Sequence, residues 1–181
     1  SDKILAKMGR KTRKEELEGI IAKLREEIPD ICLRTTLISG FPGETEKDHE
    51  ELLDFVNRME FDRLGVFPYS AEEDTPAATM EDQIPEEVKE ARRDEIMELQ
   101  QEISLEKGEN RVGQVLTVMI EGKVSGESAY IGRTYGDAPK VDGYIFVQTG
   151  ELLMTGDFAR VRVTGALEYD LIGELENEYT E

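Results

Sequence analysis

Apolar residues recur at helical spacing in three segments of the first 109 residues. Before each segment stands a residue pattern that is typical of a helix N-terminus. Thr12 and Glu15 have the spacing of a capping box, Thr45 and Asp48 repeat it, and Pro85 suits a first helical position. The spacing therefore predicts three amphipathic helices. Their apolar stripes are Leu17, Ile20, Ile21, Leu24 and Ile28, then Leu52, Leu53, Phe55, Val56 and Met59, then Val88, Ala91, Ile96, Leu99 and Ile103.

Two short apolar runs alternate with these helices and predict strands. Residues 31–39 are rich in β-branched side chains, and residues 64–69 form a second run. A short helix ending near Gly9 precedes them, and Gly108 is predicted to end the last helix. Alternation of strands and helices is typical of a parallel sheet, which needs neighbours on both edges. Two strands are too few, so we expect this α/β region to be the C-terminal part of a larger, TIM-like barrel.

The pattern changes near Asn110, where helical spacing gives way to short alternating segments separated by turns. Five strands are predicted, which favours a small OB-like antiparallel barrel, an all-β domain. The predicted domains are therefore residues 1–109 and 110–181. The predicted strands cover residues 114–121, 130–134, 144–147, 158–167 and 171–174.

The net charge of the chain indicates which class of macromolecule it is expected to bind. The chain carries 22 Lys and Arg against 41 Asp and Glu, a net charge of −19, and the residues after 109 carry 6 against 12. Clustered cations are typical of general nucleic-acid binders, so RNA binding is not expected, whereas an acidic surface suits a basic protein. Solubility is the plainer explanation of the same charge. Because no apolar run could cross a membrane, we expect a soluble, cytoplasmic protein.

The scarcity of cysteine and histidine limits the chemistry of the chain. Cys32 is the one cysteine, so the chain cannot build a disulfide, a zinc site or a cysteine-held iron–sulfur cluster by itself. We expect Cys32 to be a small buried residue. His49, the one histidine, stands among acidic residues and is predicted to be solvent-exposed.

The end of the first strand is the best local candidate for a binding site. Alternation places Arg34, Thr36 and Ile38 on one face, and ligands of parallel barrels bind at the carboxyl ends of strands. An arginine there would suit a carboxylate or phosphate, and Gly40 and Gly43 would let the backbone approach a ligand. The Gly-Phe-Pro-Gly segment is equally typical of a plain strand-to-helix turn.

Two further segments carry candidate binding residues. Phe67 and Tyr69 end the second predicted strand and could line an adenine or substrate pocket, or could simply be core residues. Between two barrel strands, a long polar loop offers Arg133, Asp137 and Asp142. Loops of this kind bind ligands in OB-like barrels, although Asp and Gly are also common in solvated turns.

Several of these segments resemble one enzyme family. Residues 34–45, Arg-Thr-Thr-Leu-Ile-Ser-Gly-Phe-Pro-Gly-Glu-Thr, resemble a late barrel strand of the radical S-adenosylmethionine methylthiotransferases. Residues 1–12 resemble the segment just before it, and residues 67–77 the next strand and loop. The closing barrel resembles a TRAM domain, so the resemblance covers essentially the whole chain.

The family has two branches that modify different substrates. RimO-like members methylthiolate an aspartate of small-subunit ribosomal protein S-twelve, and MiaB-like members methylthiolate isopentenyl-adenosine in transfer RNA. Residues 131–143 resemble the RimO branch, and the acidic charge of the barrel suits a basic ribosomal protein. The MiaB-like enzyme and a non-catalytic protein- or RNA-binding module remain as alternatives.

The resemblance implies cofactors that the whole enzyme holds. These are S-adenosylmethionine and two iron–sulfur clusters, whose cysteines would lie in a missing N-terminal part. This fragment is therefore expected to be inactive alone. A 5′-deoxyadenosyl radical would take a hydrogen atom from the β-carbon of the target aspartate.

The resemblance also implies roles for particular residues, divided between cofactor and substrate. The implied cofactor contacts are Arg34, Thr36, Ile38 and Gly40, with Phe67 and Tyr69 near the adenine; the implied substrate contacts are Arg10, Arg133, Asp137 and Asp142. Arg10 would contact either the cofactor or the substrate.

Overall fold

The computed structural model describes residues 1–176 and contains helices and strands close to those predicted. The helices are α1 (Asp2–Lys7), α2 (Lys14–Glu27), α3 (Glu46–Met59) and α4 (Glu86–Glu109), with a short 3-10 helix at Pro76–Thr79. The strands are β1 (Arg34–Ser39), β2 (Arg63–Pro68), β3 (Val115–Lys123), β4 (Ala129–Arg133), β5 (Ile145–Gln148), β6 (Phe158–Ala166) and β7 (Leu171–Leu175).

The chain divides into two compact units, Ser1–Ile103 and Ser104–Glu181. The division falls inside α4, six residues before the predicted boundary between 109 and 110. Residues 177–181 of the predicted second domain lie outside the described residues. The last turn of α4 belongs to the second unit because it packs there: a methyl group on Gly108 would lie 3.0 Å from the Ala166 Cβ.

Helix α4 corrects two predictions. It continues through Gly108 to Glu109, so this glycine does not end the helix but allows the close approach to Ala166. Ala91 is exposed, although it was assigned to the apolar stripe. The buried side of the helix instead carries polar residues among its apolar ones: Lys89, Arg92, Ile96, Gln100 and Ile103.

The predicted N-terminus is correct for α3 and one residue too early for α2. Thr45 caps α3 as predicted, with its hydroxyl accepting from the Asp48 N–H at 3.3 Å. The predicted start at Thr12 is wrong: the N-cap of α2 is Arg13, whose N–H donates to the Glu16 carboxylate at 2.8 Å. Because an arginine side chain cannot accept a hydrogen bond, only the Glu16 half of a capping box forms.

The first unit contains a two-stranded parallel sheet, β1 beside β2. Helices α3 and α4 cover one of its faces with a cluster built around Val56, Val66 and Ile96. Strand β1 begins at Arg34, three residues later than predicted. The predicted α/β arrangement is confirmed for this unit, while the larger TIM-like barrel stays a prediction.

The second unit is a closed five-stranded barrel with strand order β3-β4-β5-β7-β6, completed by pairing of β6 with β3. All pairs are antiparallel except β5 with β7, which is parallel. The predicted small barrel is confirmed, but its description as wholly antiparallel is wrong. An odd number of strands cannot alternate in direction around a closed ring, so at least one pair must be parallel.

The barrel interior is apolar and well closed. Val118, Val147 and Val161 are fully buried, and Tyr130 packs with them. Glycine allows strands to approach over this core: a methyl group on Gly173 would lie 2.6 Å from the Val161 Cγ1. The apolar cluster inside the barrel is built from residues of the second unit.

Among residues 1–176, no helix combines the length and apolar character that crossing a membrane requires.

Candidate functional site

One face of the β1–β2 sheet is open. Arg34, Thr36 and Ile38 alternate outward from β1, as the sequence predicts, and all three are exposed. The parallel register places Ile38 beside Phe67, so the two share this face. Ile38 is 42% exposed and Phe67 62% exposed. The open face therefore presents two adjacent apolar side chains next to an arginine and a threonine.

A cavity of 430 Å³ lies beside β1. It brings Arg10 and Thr12, from the connection between α1 and α2, together with Arg34, Thr36 and Ile38. Arg10, which the sequence marked as a separate candidate, thus lines one space with the three β1 residues, and the two guanidinium groups suit an anionic ligand group. Helices α2 and α3 supply apolar wall residues, among them Leu17, Ile21, Leu24, Leu52 and Phe55.

The turn after β1 is fixed by glycine conformation and by a buried carboxylate. Gly40 and Gly43 have φ values of 69° and 81°, in the left-handed region that favours glycine. The Gly40 N–H donates to Glu44 Oε1 at 3.0 Å. A methyl group on Gly40 would lie 2.1 Å from the Lys89 Cγ. The close approach that Gly40 permits is therefore to Lys89, and its predicted ligand contact stays a prediction.

Tyr69 occupies a different environment from Phe67. It is buried, and its ring meets Phe41 edge-on with centroids 5.2 Å apart. The Lys89 ammonium donates to the Tyr69 carbonyl at 2.8 Å. The Tyr69 hydroxyl has no hydrogen-bond partner among residues 1–176. Its burial gives no support to the predicted adenine contact, whereas Phe67 remains available on the open face.

Arg92 holds the same turn from α4. Its Nη1 donates to Glu44 Oε1 at 2.9 Å, and both side chains are buried. Its Nη2 reaches the exposed Glu46 at 3.2 Å. The Glu44 carboxylate is thereby charge-paired while it closes the turn. Sequence reasoning missed Arg92, although its position one turn before Ile96 places it on the buried stripe.

Asp48 ties α1 to the start of α3. Its carboxylate accepts from the Lys3 ammonium at 2.8 Å and from the Ser1 hydroxyl at 2.7 Å. Burial opposes ionisation of this group, but the hydrogen bonds from Lys3, Thr45 and Ser1 outweigh it and hold the pKa of Asp48 well below its usual range. This contact fixes α1, and the connection after that helix carries Arg10 at the cavity.

His49 corrects another prediction, because it is buried rather than solvent-exposed, with 1% of its surface accessible. Its Nε2 lies 2.7 Å from the Glu95 carboxylate of α4. Its Nδ1 has no hydrogen-bond partner within the described part of the chain. The signal was present, since His49 precedes Leu52 and Leu53 by three and four residues, on the same side of the helix.

The loop between β4 and β5 is organised by the three residues predicted for substrate docking. The Arg133 Nε donates to Glu121 Oε1 at 2.8 Å, on β3. Asp137 accepts from the Thr134 N–H at 2.9 Å, and Asp142 accepts from the Ala138 N–H at 2.6 Å. These groups shape the loop, and their substrate contacts stay predictions.

The same loop presents side chains that sequence reasoning did not select. Tyr135 is 72% exposed and Val141 71% exposed. These side chains therefore present apolar surface on a loop whose carboxylates hold its shape.

The described residues hold no group of three or more His, Cys, Asp or Glu side chains that could bind a metal ion. Cys32, which was predicted to be buried, is only partly buried, and its thiol is not in a disulfide. An iron–sulfur cluster therefore does not fit the side chains of this part of the chain.

The second unit matches a known domain family. Residues 112–175 match the TRAM domain. This range covers all five barrel strands, as the sequence resemblance implied.

Curated relatives match nearly the whole chain. A protein of Lachnoclostridium phytofermentans, "Ribosomal protein uS12 methylthiotransferase RimO", is 62% identical over 97% of the chain and 40% of its own length. Proteins with the same name from Pelotomaculum thermopropionicum and Desulfitobacterium hafniense are 55% and 51% identical over 96% of the chain. The chain spans about two fifths of the length of each of these relatives.

Proposed function

Because the chain belongs by sequence to the RimO type of methylthiotransferase, we propose that it is a segment of an enzyme that modifies ribosomal protein uS12. The observation that carries this proposal is 62% identity over 97% of the chain to a protein with that activity in its name. All three relatives described above are RimO proteins, which favours the ribosomal-protein branch over the transfer-RNA branch. We assign the chemistry to addition of a methylthio group at the β-carbon of an aspartate.

The α/β unit supplies part of the S-adenosylmethionine pocket in this proposal. Arg34, Thr36, Ile38 and Phe67 would hold the cofactor, because they form the open face of the sheet and three of them line the cavity. Ile38 and Phe67 offer an apolar surface for a planar ring, and Arg34 suits the carboxylate. When bound, S-adenosylmethionine would supply the radical chemistry of the reaction, and these residues would bind and orient it.

The residues of this chain position groups rather than carry out the radical step. Glu44, Arg92 and Lys89 fix the turn at the end of β1, and Asp48 fixes α1 with the attached Arg10. Because the described side chains cannot hold a cluster, the cysteines must come from elsewhere in the enzyme.

The barrel docks the substrate protein in this proposal. After residue 109 the chain carries 6 Lys and Arg against 12 Asp and Glu, which complements a basic protein. Tyr135 and Val141 would supply the apolar contacts of the loop that Arg133, Asp137 and Asp142 hold in shape. Apolar anchors inside a charged rim are typical of protein interfaces.

Docking is tested with purified uS12 and the full 181-residue chain. The double variant Tyr135→Ala/Val141→Ala should weaken uS12 binding roughly tenfold, while Leu152→Ala should leave it unchanged. Leu152 is a matched control because it is 86% exposed and follows β5, whereas the docking loop precedes that strand. Binding that survives the double variant, or a preference for transfer RNA lost on Lys140→Gln/Arg160→Gln, would contradict the proposed docking.

Dependence on the rest of the enzyme is tested by reconstitution. We expect the 181-residue chain, treated with iron, sulfide and reductant, to yield no 5′-deoxyadenosine from S-adenosylmethionine. The matched control is a full-length RimO relative handled in the same way. Product from the 181-residue chain would contradict the proposal that the cluster cysteines lie outside it.

A further inference from the structure

The first 14 residues reverse the charge of the rest of the chain. They contain six Lys and Arg against one Asp, while the other residues contain 16 against 40. The basic residues are Lys3, Lys7, Arg10, Lys11, Arg13 and Lys14. Since charges beyond about 8 Å are largely screened at physiological salt, a local cluster can attract an anion despite the net charge of the chain.

Half of these cations are engaged within the first unit. Lys3 pairs with Asp48 at 2.8 Å, Lys7 with Asp82 at 3.6 Å, and Lys14 with Glu51 at 2.5 Å. The other three, Arg10, Lys11 and Arg13, are exposed and have no ion pair or side-chain hydrogen bond within residues 1–176. Three free cations therefore stand within four consecutive positions.

The backbone that carries these cations is fixed at both ends. Gly9, with φ 74°, ends α1 in a Schellman arrangement: its N–H donates to the Ala6 carbonyl at 3.0 Å and the Arg10 N–H donates to the Leu5 carbonyl at 2.9 Å. At the other end, the Lys14 N–H donates to the Asp2 carboxylate at 2.7 Å. The connection is thus held in place before a ligand binds, so less conformational entropy is lost on binding.

A cleft of 460 Å³ opens at this connection. Its wall includes Arg10, Lys11, Thr12 and Arg13, and the apolar residues on it are Leu5 and Ala6 alone. The one carboxylate on the wall, Asp2, already accepts from the Lys14 N–H. The cleft is therefore cationic and lacks a large apolar pocket.

We propose that this cleft binds the phosphodiester backbone of RNA. The guanidinium forks of Arg10 and Arg13 and the ammonium of Lys11 match successive phosphates. An acidic protein segment is the less suitable ligand, because a protein interface needs apolar anchors that the cleft does not offer. With no aromatic side chain on its wall, the cleft would read backbone charge rather than base sequence.

Arg10 also lines the larger cavity beside β1, so bound RNA would lie next to the candidate cofactor site. A ribosomal protein is normally found among RNA phosphates, so a substrate embedded in RNA would bring both to this part of the enzyme. Only this placement rests on the proposed function; the assignment of the cleft rests on its own charges.

The test measures binding of a fluorescent 12-nucleotide uridine RNA to the full chain over a range of salt concentrations. The variant Arg10→Gln/Lys11→Gln/Arg13→Gln should weaken binding at least tenfold and should reduce the slope of log affinity against log salt by about 2, since each single-strand phosphate contact contributes about 0.7. The control Lys47→Gln/Lys140→Gln/Arg160→Gln removes the same charge from exposed positions elsewhere and should change affinity less than threefold. Arg10→Lys/Arg13→Lys should retain most of the binding.

Two results would overturn the inference. One is an equal loss of RNA affinity in the Arg10→Gln/Lys11→Gln/Arg13→Gln variant and in the control variant. That result would mean that the net charge of the chain, and not the cleft, determines the binding. The other is preferential binding of a 12-residue glutamate peptide at the same cations, which would assign the cleft to an acidic protein. Failure of uS12 binding with cleft-dependent RNA binding intact would count against the proposed function and not against this inference.

Discussion

The two units of the chain reach stability by different means. The barrel closes on itself and buries an apolar core around Val118, Val147 and Val161. The α/β unit has two strands, one face of which stays open with Ile38 and Phe67 exposed. A closed sheet has no edges to protect, whereas an open parallel sheet leaves both edges and one face uncovered.

The unit with the open sheet also contains buried polar side chains. Lys89, Arg92 and Gln100 lie on the buried side of α4, and each bonds a turn or strand end of the first unit. The α/β unit therefore depends on hydrogen bonds and ion pairs at its strand ends, where the candidate site lies. The barrel depends instead on a complete apolar core.

The largest effect is expected from breaking the buried ion pair of the α/β unit. Arg92→Ala should lower the stability of this unit by about 3–5 kcal/mol, because Glu44 would be left buried without a counter-charge. Thermal unfolding followed by calorimetry measures the loss. The matched double variant Arg92→Met/Glu44→Gln should recover much of it. If the Arg92→Ala variant unfolded at the same temperature as the wild-type protein, this contact would not be what stabilises the unit.

A core truncation in the barrel tests the closed side of the comparison. Ile120 is fully buried, so Ile120→Ala should cost about 2–5 kcal/mol through lost transfer energy and a cavity. Phe67→Ala, on the open face, removes a larger side chain but should change stability by less than about 0.5 kcal/mol. Urea unfolding followed by circular dichroism compares them. Similar losses in the two variants would mean that the β1–β2 face is covered.

Acid should weaken the α/β unit before the barrel. The pKa of Asp48 is lower in the folded state than its ordinary value of 3.8, so its stabilisation is present above that value and is lost as pH falls below it. Asp48→Asn should therefore flatten the acid side of the stability curve of the first unit. The measurement is melting temperature from pH 2.5 to 7, with Asp54→Asn, on the exposed side of α3, as control. An unchanged slope in Asp48→Asn would contradict this account.

Local sequence signals predicted the individual helices and strands better than they predicted which of these elements pair with each other. The five barrel strands, the Thr45 cap and the outward alternation of Arg34, Thr36 and Ile38 follow from spacing and turn chemistry alone. The parallel β5–β7 pair was missed, although closure of five strands requires one such pair.

Two residues that the sequence prediction misplaced or missed are polar residues buried against a distant part of the chain. His49 and Arg92 are polar, and each is buried and paired with a residue far along the chain: Glu95 lies 46 positions from His49, and Glu44 lies 48 positions from Arg92. The grouping of Arg10 with Arg34 around one cavity also depends on how α1 and β1 pack. Spacing within α3 and α4 marks the buried side of each helix, but it does not identify the distant residue that packs there.

Hydrogen exchange of the full chain, followed by mass spectrometry, tests the central contrast most directly. Amides of the paired barrel strands β3 to β7 should exchange more slowly than those of β1 and β2, by at least roughly tenfold, since each 1.4 kcal/mol of opening free energy is a factor of ten. Equal or greater protection of β1 and β2 would contradict the account, because it would show that the α/β unit is as completely closed as the barrel.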